Sequence, residues 1–215
     1  MDSLLQNFLI YSFLAGLVPF SAAIFRYKKL QQPLKYLAIL IFFDFGTEVI
    51  THIYFFLKSS NQFLWPAFIV IEFSLIMWIY RQQLLPMLIA KITPLLIPVF
   101  AIYTFTDWFY GKLAGLSAFP HFIEGVIILY TVLCYYYKTL KAPLIIHLER
   151  QPMFWLSTGL FIYFSVDSII FIFSNYIQSF SLRFNSQIWF IHAIFNIVLY
   201  IFYTLAVCLN PKKQI

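Results

Sequence analysis

Residues 42–57 read FFDFGTEVITHIYFFL, an apolar run that carries three ionisable side chains. Asp44, Glu48 and His52 follow one another at intervals of four residues, so in a helix all three lie along one face. Together with the apolar residues before it, the run covers residues 35–57, which is long enough for a helix to cross the hydrocarbon of a membrane. The stretch therefore predicts a membrane-spanning helix with one polar face.

The whole chain has the composition of a membrane protein. Of its 215 residues, 62% are hydrophobic and 10% are charged, which is more apolar surface than a soluble domain of this length can bury. The net charge of +6 comes from Lys and Arg residues in short connections, a pattern typical of membrane topology signals rather than of nucleic-acid binding. Cys134 and Cys208 form no Cys-x-x-Cys pair, so neither a disulfide scaffold nor a thiolate metal site is indicated.

Apolar runs of about 20 residues recur along the chain and predict an all-α bundle of seven transmembrane helices. The predicted spans are 4–25, 35–57, 62–82, 92–110, 117–137, 153–175 and 187–209. The first run follows Asp2 and no basic residue, so we expect it to be retained as a helix rather than removed as a signal peptide. Because the linkers are short throughout, residues 1–215 are predicted to form a single transmembrane domain.

Lys and Arg are distributed unequally between the two sides of the predicted bundle. Eleven lie in connections on one side: Arg26, Lys28, Lys29, Lys35, Arg81, Lys91, Lys138, Lys141, Arg150, Lys212 and Lys213. Three lie on the other side: Lys58, Lys112 and Arg183. Cytoplasmic connections carry the excess of positive charge. The N-terminus is therefore predicted outside and the C-terminus in the cytoplasm, in the cytoplasmic membrane of a bacterium.

The sequence contains an internal repeat. Three pairs of segments match in chain order at offsets of 110, 123 and 124 residues: YKKLQQPL (27–34) with YKTLKAPL (137–144), Asp44 with Asp167, and LWPAFIVIE (64–72) with IWFIHAIFN (188–196). The matches predict two parallel three-helix repeats, residues 1–82 and 117–209, joined by the fourth span. Parallel repeats of this kind are related by an axis along the membrane normal.

This 3+1+3 layout resembles that of the sugar- and vitamin-transporting SWEET-type proteins and of microbial opsins, and is similar to a seven-helix family of uncharacterised bacterial membrane proteins. The resemblance covers the whole chain as a layout and implies a ligand site near the interface of the repeats. The sequence departs from the opsins in one respect. Opsins attach retinal through a lysine in the last span, and residues 187–209 contain none, so a covalently bound retinal is not expected.

Most of the acidic residues lie where water cannot reach them. Five of the eight are inside predicted spans: Asp44, Glu48, Glu72, Glu124 and Asp167. No Lys or Arg lies deep enough in a span to neutralise them. A charge at mid-membrane costs at least about 2.5–3.5 kcal/mol, so we expect these side chains to face the interior of the bundle and to find partners there.

Their depths predict a polar pocket in the outer half of the bundle. Counted inward from the outer end of each span, three histidines lie about one turn deep, and most of the acids lie about a turn deeper. The predicted pocket consists of Glu48, His52, Glu72, His121, Glu124, Asp167, His192 and Asn196. One face of the second span would then form one wall of an outward-facing acidic and histidine pocket.

Three interpretations of this pocket are open. Protonated acids bonded to His, Asn, Tyr and Ser would form a structural polar core. Carboxylates without basic partners would bind a cation, protons or a small polar ligand, in a sensor-like or transport role, and the sequence favours this interpretation. Three histidines at one depth (His52, His121 and His192) would hold zinc in an intramembrane lipid hydrolase.

The hydrolase interpretation has the weakest support from the sequence. Seven-helix zinc hydrolases of the ceramidase and adiponectin-receptor type use a His-x-x-x-His pair in a late span, and the corresponding spacing here joins His192 to Asn196. A non-enzymatic role is therefore favoured, and zinc is the one cofactor considered. The expected partners are the lipid bilayer and a small cationic or polar ligand. A second copy of the chain or a signalling protein is left open, and nucleic acid is not expected.

A reporter fused after Ile215 tests the predicted orientation. We expect a reporter that works only in the cytoplasm to be active there, because positively charged connections are retained on the cytoplasmic side. A fusion after Lys112, in a connection on the opposite side, is the matched control and should give the reverse result. Activity of a periplasm-dependent reporter after Ile215 would overturn the orientation.

Overall fold

A computed structural model describes the chain except for residues 1–2, 58, 60–61, 115–117, 142–146, 174–181 and 210–215. Its described residues form seven α-helices: α1 (Ser3–Arg26), α2 (Gln32–Phe56), α3 (Trp65–Leu84), α4 (Leu88–Ala114), α5 (Phe119–Lys141), α6 (Pro152–Ile172) and α7 (Leu182–Cys208). Short 3-10 helices lie in the connections, at Tyr27–Lys29, Gln62–Leu64 and Leu148–Arg150. The described part of the chain is thus all-helical, as the sequence predicts.

Five of these helices (α2, α4, α5, α6 and α7) are long and apolar enough to cross a membrane. Large apolar side chains cover the outside of the bundle. On α4, for example, Leu95 is 68% exposed, Ile102 69% and Phe109 64%. Such side chains are stable against lipid and costly against water. The expectation of an all-α membrane protein is confirmed at this level.

Each helix overlaps one of the predicted spans, and the ends differ by at most five residues. The largest difference is at the start of α7, which begins at Leu182 rather than at residue 187. Hydropathy detects the part of a helix that lies in hydrocarbon. The helix itself continues into polar sequence such as Arg183 and Asn185, because its backbone hydrogen bonds do not depend on hydropathy.

Six of the helices form a closed ring around a common interior. Going round it, α1 packs on α2, α2 on α3, α3 on α5, α5 on α6, α6 on α7, and α7 returns to α1. The remaining helix, α4, lies outside this ring against α3 and, less closely, α5. Phe100 of α4 packs on Phe73 of α3 with the ring centroids 4.2 Å apart. The interior that could hold a site is therefore built without α4.

Small residues and one buried hydrogen bond set the spacing of the ring helices. A Cβ atom added to Gly159 of α6 would lie 2.5 Å from the Cβ of Phe202 on α7, so the two helices approach each other at the glycine backbone. The hydroxyl groups of Tyr80 (α3) and Ser157 (α6) lie 2.6 Å apart in the interior. Close approach at small residues and polar cross-links are usual between helices in membranes, where hydrophobicity does not drive association.

Two cations bind the ends of neighbouring helices at one end of the bundle. Arg26, at the end of α1, donates Nη1 to the backbone carbonyls of Val207, at 3.4 Å, and of Cys208, in the last turn of α7. Lys138, in the last turn of α5, donates Nζ to the carbonyl of Gln83 near the end of α3, at 2.5 Å. The last carbonyls of a helix lack intrahelical donors and carry partial negative charge, so both contacts are favourable. We call this end the basic end.

Alanine at Gly159 tests the close approach of α6 and α7. We expect Gly159→Ala to lower the free energy of unfolding by about 1–3 kcal/mol, because the added methyl group meets the stem of Phe202 and the helices must separate. The measurement is the midpoint of thermal unfolding in detergent micelles.

Gly46 of α2 provides the matched control, since a Cβ added there has no neighbour within 4 Å. Gly46→Ala should be neutral or stabilising by up to about 1 kcal/mol, from helix propensity alone. Equal midpoints for the two alanine variants would contradict the packing described for α6 and α7.

Candidate functional site

Carboxyl groups from four ring helices meet in the interior of the bundle: Asp44 of α2, Glu72 of α3, Glu124 of α5 and Asp167 of α6. Glu72, Glu124 and Asp167 are 6%, 0% and 2% exposed. Asp44 is half-buried as a residue, but its Oδ1 is buried. The carboxyl of Glu72 is within electrostatic range of Asp167, and that of Glu124 is within range of the other three. We call these four side chains the acid cluster.

Two histidines contact the acid cluster within the described part of the chain. His192 Nδ1 lies 2.8 Å from Asp167 Oδ1, and His121 Nδ1 lies 3.4 Å from Glu124 Oε2. Neither contact has the direction of a hydrogen bond, so in the described residues Asp167 Oδ1 and both oxygens of Glu124 lack a hydrogen-bond partner. A buried polar atom without a partner costs about 1–3 kcal/mol. The acid cluster is therefore not optimised for stability.

A layer of rings covers the acid cluster at the end opposite the basic end. His121 of α5 stacks on Phe171 of α6 with centroids 4.1 Å apart, and Trp65 of α3 meets His121 edge-on at 5.1 Å. Two side chains of α7 meet Phe171 edge-on, Trp189 at 6.0 Å and His192 at 6.3 Å. We call these five side chains the aromatic layer and this end of the bundle the aromatic end.

Helix geometry places the aromatic layer directly over the acids. Phe171 follows Asp167 by four residues on α6, and His121 precedes Glu124 by three on α5, so each ring lies about one turn from a carboxyl on the same face. His192 reaches the same Asp167 from α7. Each histidine thus touches a ring of the layer and a carboxyl beneath it.

Two of the predicted residues, Glu48 and Asn196, lie in a second group beside the acid cluster. The hydroxyl of Tyr200 donates to Glu48 Oε2 at 3.3 Å, and Tyr200 also bonds the side chain of Asn196. Gly16 of α1 is close to the same oxygen, since a Cβ added there would lie 3.0 Å from Glu48 Oε2. Glu48 is therefore held where α1, α2 and α7 meet.

The structure places His52 apart from the other two membrane histidines. Its Nδ1 donates to the backbone carbonyl of Glu48 at 2.9 Å, and its ring lies 5.1 Å from that of Phe13 on α1. His121 and His192 instead share contacts with Phe171. Among the residues that the structure describes, no three His, Cys, Asp or Glu side chains are arranged to hold one metal ion. The zinc site stays a prediction.

Reasoning from the sequence alone left Asp44 and the tyrosines out of the predicted pocket. Asp44 is four residues before Glu48 on the same helix face, a signal that was sufficient to include it. Tyr200 and Tyr203 continue the polar face of α7 that begins at His192, at spacings of three and four residues. Tyr203 lies within electrostatic range of Asp44, and its buried hydroxyl has no hydrogen-bond partner in the described residues.

Comparisons of the chain with family models, with curated proteins and with solved structures find no match. The resemblance in layout to SWEET-type transporters and microbial opsins therefore stays an expectation from the order of the spans and the internal repeat. The chemistry of the acid cluster and the aromatic layer is the basis on which a function can be assigned.

Proposed function

We propose that the protein binds protons or a small cation at the acid cluster, in a sensor-like or transport role. The observation that carries this proposal is the meeting of four carboxyl groups from four helices in an apolar interior. The Lys and Arg residues of these helices lie only in their first or last turns. Ionised carboxylates placed there would lose hydration and repel one another. A positively charged guest removes both costs.

The aromatic layer supports a route from the aromatic end to the acids. The side chain of His192 is 21% exposed, whereas that of Asp167, its partner, is 2% exposed. His192 therefore lies between solvent and the buried acid, with Nδ1 2.8 Å from Asp167 Oδ1. His121 and Glu124 form a parallel step that is more deeply buried, with side-chain exposures of 10% and 0%. In both pairs the imidazole lies between solvent and a buried acid, which is the order that a proton relay requires.

The position of the acids favours a conformational response to their charge. Glu72, Glu124 and Asp167 belong to three consecutive members of the ring, α3, α5 and α6, so a change in their repulsion acts on the contacts between these helices. A sensor would use that change to alter a surface of the bundle, and a transporter would use it to alternate the side that is open. The unpartnered carboxyl oxygens favour a guest over a structural core, because a purely structural core gains from satisfying them.

Glu48 and His52 suit the structural interpretation better than the ligand-binding one. The carboxyl of Glu48 accepts a hydrogen bond from Tyr200, and His52 bonds the backbone of its own helix. The first contact joins α2 to α7, and the second fixes the side chain of His52 against its own helix. We infer that this second group stabilises the bundle beside the acid cluster.

The fold is further proposed to consist of two parallel three-helix repeats, with the N-terminus outside. In such a pair, α1, α2 and α3 correspond to α5, α6 and α7. The order of the helices in the ring supports this correspondence, because the contact between α3 and α5 is matched by the contact between α7 and α1. The two cations of the basic end support it as well. Arg26 of α1 binds the end of α7, and Lys138 of α5 binds the end of α3.

An experimental structure tests the repeat. Residues 1–82 and 117–209 should superpose by a rotation of about half a turn around an axis along the membrane normal, with Asp44 and Asp167 at related positions. An in-plane axis, or a failure of the two halves to superpose, would reject the repeat and leave the cation proposal standing.

Thermal unfolding in detergent tests cation binding. Na⁺, K⁺, Mg²⁺ and Ca²⁺ are added in turn at constant ionic strength and alkaline pH. We expect one of these ions to raise the unfolding midpoint of the wild type, because a ligand of the folded state stabilises it. Lowering the pH should reduce that gain, since protons compete for the same carboxyls. In Asp167→Asn and in Glu72→Gln, the ion concentration needed for the same rise in midpoint should be at least tenfold higher.

The matched control is Asp107→Asn. Asp107 lies on α4, outside the ring, and its variant should respond to ions and to pH as the wild type does. If all four proteins show the same response to every ion and to pH, the acid cluster binds neither cations nor protons and the proposal fails.

A further inference from the structure

The basic end contains a cavity that the proposed function does not use. It has a volume of about 90 Å³ and lies where the 3-10 helix after α1 meets the end of α7. Its walls are formed by Arg26, Lys29, Leu30, Gln31, Leu34, Val207 and Leu209. A cavity of this size suits a small group such as a phosphate rather than a large solute.

Two cations line the cavity without a carboxylate beside them. Arg26 is half-buried and is held by the last carbonyls of α7 through Nη1. A guanidinium has five N–H donors, so the nitrogens Nε and Nη2 offer three beyond those on Nη1. Lys29, on the 3-10 helix, adds a mobile ammonium. No acidic residue is among the residues that line the cavity. A fixed guanidinium beside a lysine is a suitable site for a phosphate oxyanion.

The other residues that line the cavity favour a lipid over a free phosphate as the ligand. Leu30, Leu34, Val207 and Leu209 are apolar, and a free phosphate ion gains nothing from such walls. A phospholipid brings glycerol and acyl carbons next to its phosphate, which suit them. The cavity also lies at the helix ends, where lipid headgroups are found. Basic pockets between transmembrane helices have the chemistry that binds anionic headgroups.

We propose that this cavity binds the headgroup phosphate of an anionic phospholipid, with Arg26 and Lys29 as the groups that hold it. The site is independent of the acid cluster, which lies deeper and has the opposite charge. A bound lipid phosphate would contact Arg26 while Arg26 holds the end of α7, and a ligand that binds only the folded protein stabilises it.

Native mass spectrometry of the purified full-length protein in a neutral detergent tests the site. The probes are phosphatidylglycerol, phosphatidylcholine and inorganic phosphate, added separately. We expect one phosphatidylglycerol to bind at least tenfold more tightly than phosphatidylcholine and to raise the unfolding midpoint. Lys29→Gln should weaken that binding about fivefold, the effect of one lysine near a lipid headgroup.

Lys28→Gln is the matched control. Lys28 belongs to the same 3-10 helix and is exposed, but it does not line the cavity, and its variant should bind phosphatidylglycerol as the wild type does. Equal losses in the two variants would show diffuse attraction and overturn the proposal. Equal binding of both lipids, or no bound lipid, would overturn it as well. Inorganic phosphate that binds as tightly as phosphatidylglycerol would also overturn it and would make the site one for free phosphate.

Discussion

Hydrocarbon offers no hydrogen bonds, and this constraint determines how the polar residues of the chain are arranged. Each backbone group must be satisfied within a helix, and each polar side chain must turn toward another helix or toward an end of the bundle. The six-helix ring gives the acids an interior to face, and the apolar side chains of α4 cover one side of it. Cations follow the same rule in the other direction, since each Lys and Arg that the structure describes lies in an end turn of a helix or in a connection.

The fold was largely predictable from the sequence because length and hydropathy are strong signals in membrane proteins. All seven helices overlap runs recognised by composition alone. The sequence predicts α4 as the linker between the two repeats, but it does not predict that α4 lies outside the ring. The order of the ring could not be read from any local pattern, because it depends on contacts such as that of Gly159 with Phe202, residues 43 positions apart.

Most side chains of the site could be identified from the sequence, but which of them lie together could be predicted less well. Counting depth along the spans put Glu124 and Asp167 at one level and Glu72 closer to the middle, and in the structure these three lie within electrostatic range of one another. Depth carries no information about rotation around the helix axis, however. His52 has about the same depth as His121 and His192 but packs against Phe13 of α1. Asp44 has the opposite relation, since it shares a helix face with Glu48 but lies one turn deeper, so a pocket defined by depth omits it.

The two ends of the ring differ in mechanical character. Charge-assisted hydrogen bonds from Arg26 and Lys138 to helix ends are directional, so a small displacement breaks them. The rings of Trp65, Phe171 and Trp189 attract one another by about 0.5–1.5 kcal/mol per pair and can slide while they remain in contact. The bundle is therefore clamped at one end and compliant at the other. We therefore expect helix displacements to pivot about the clamped end and to be largest beside the rings.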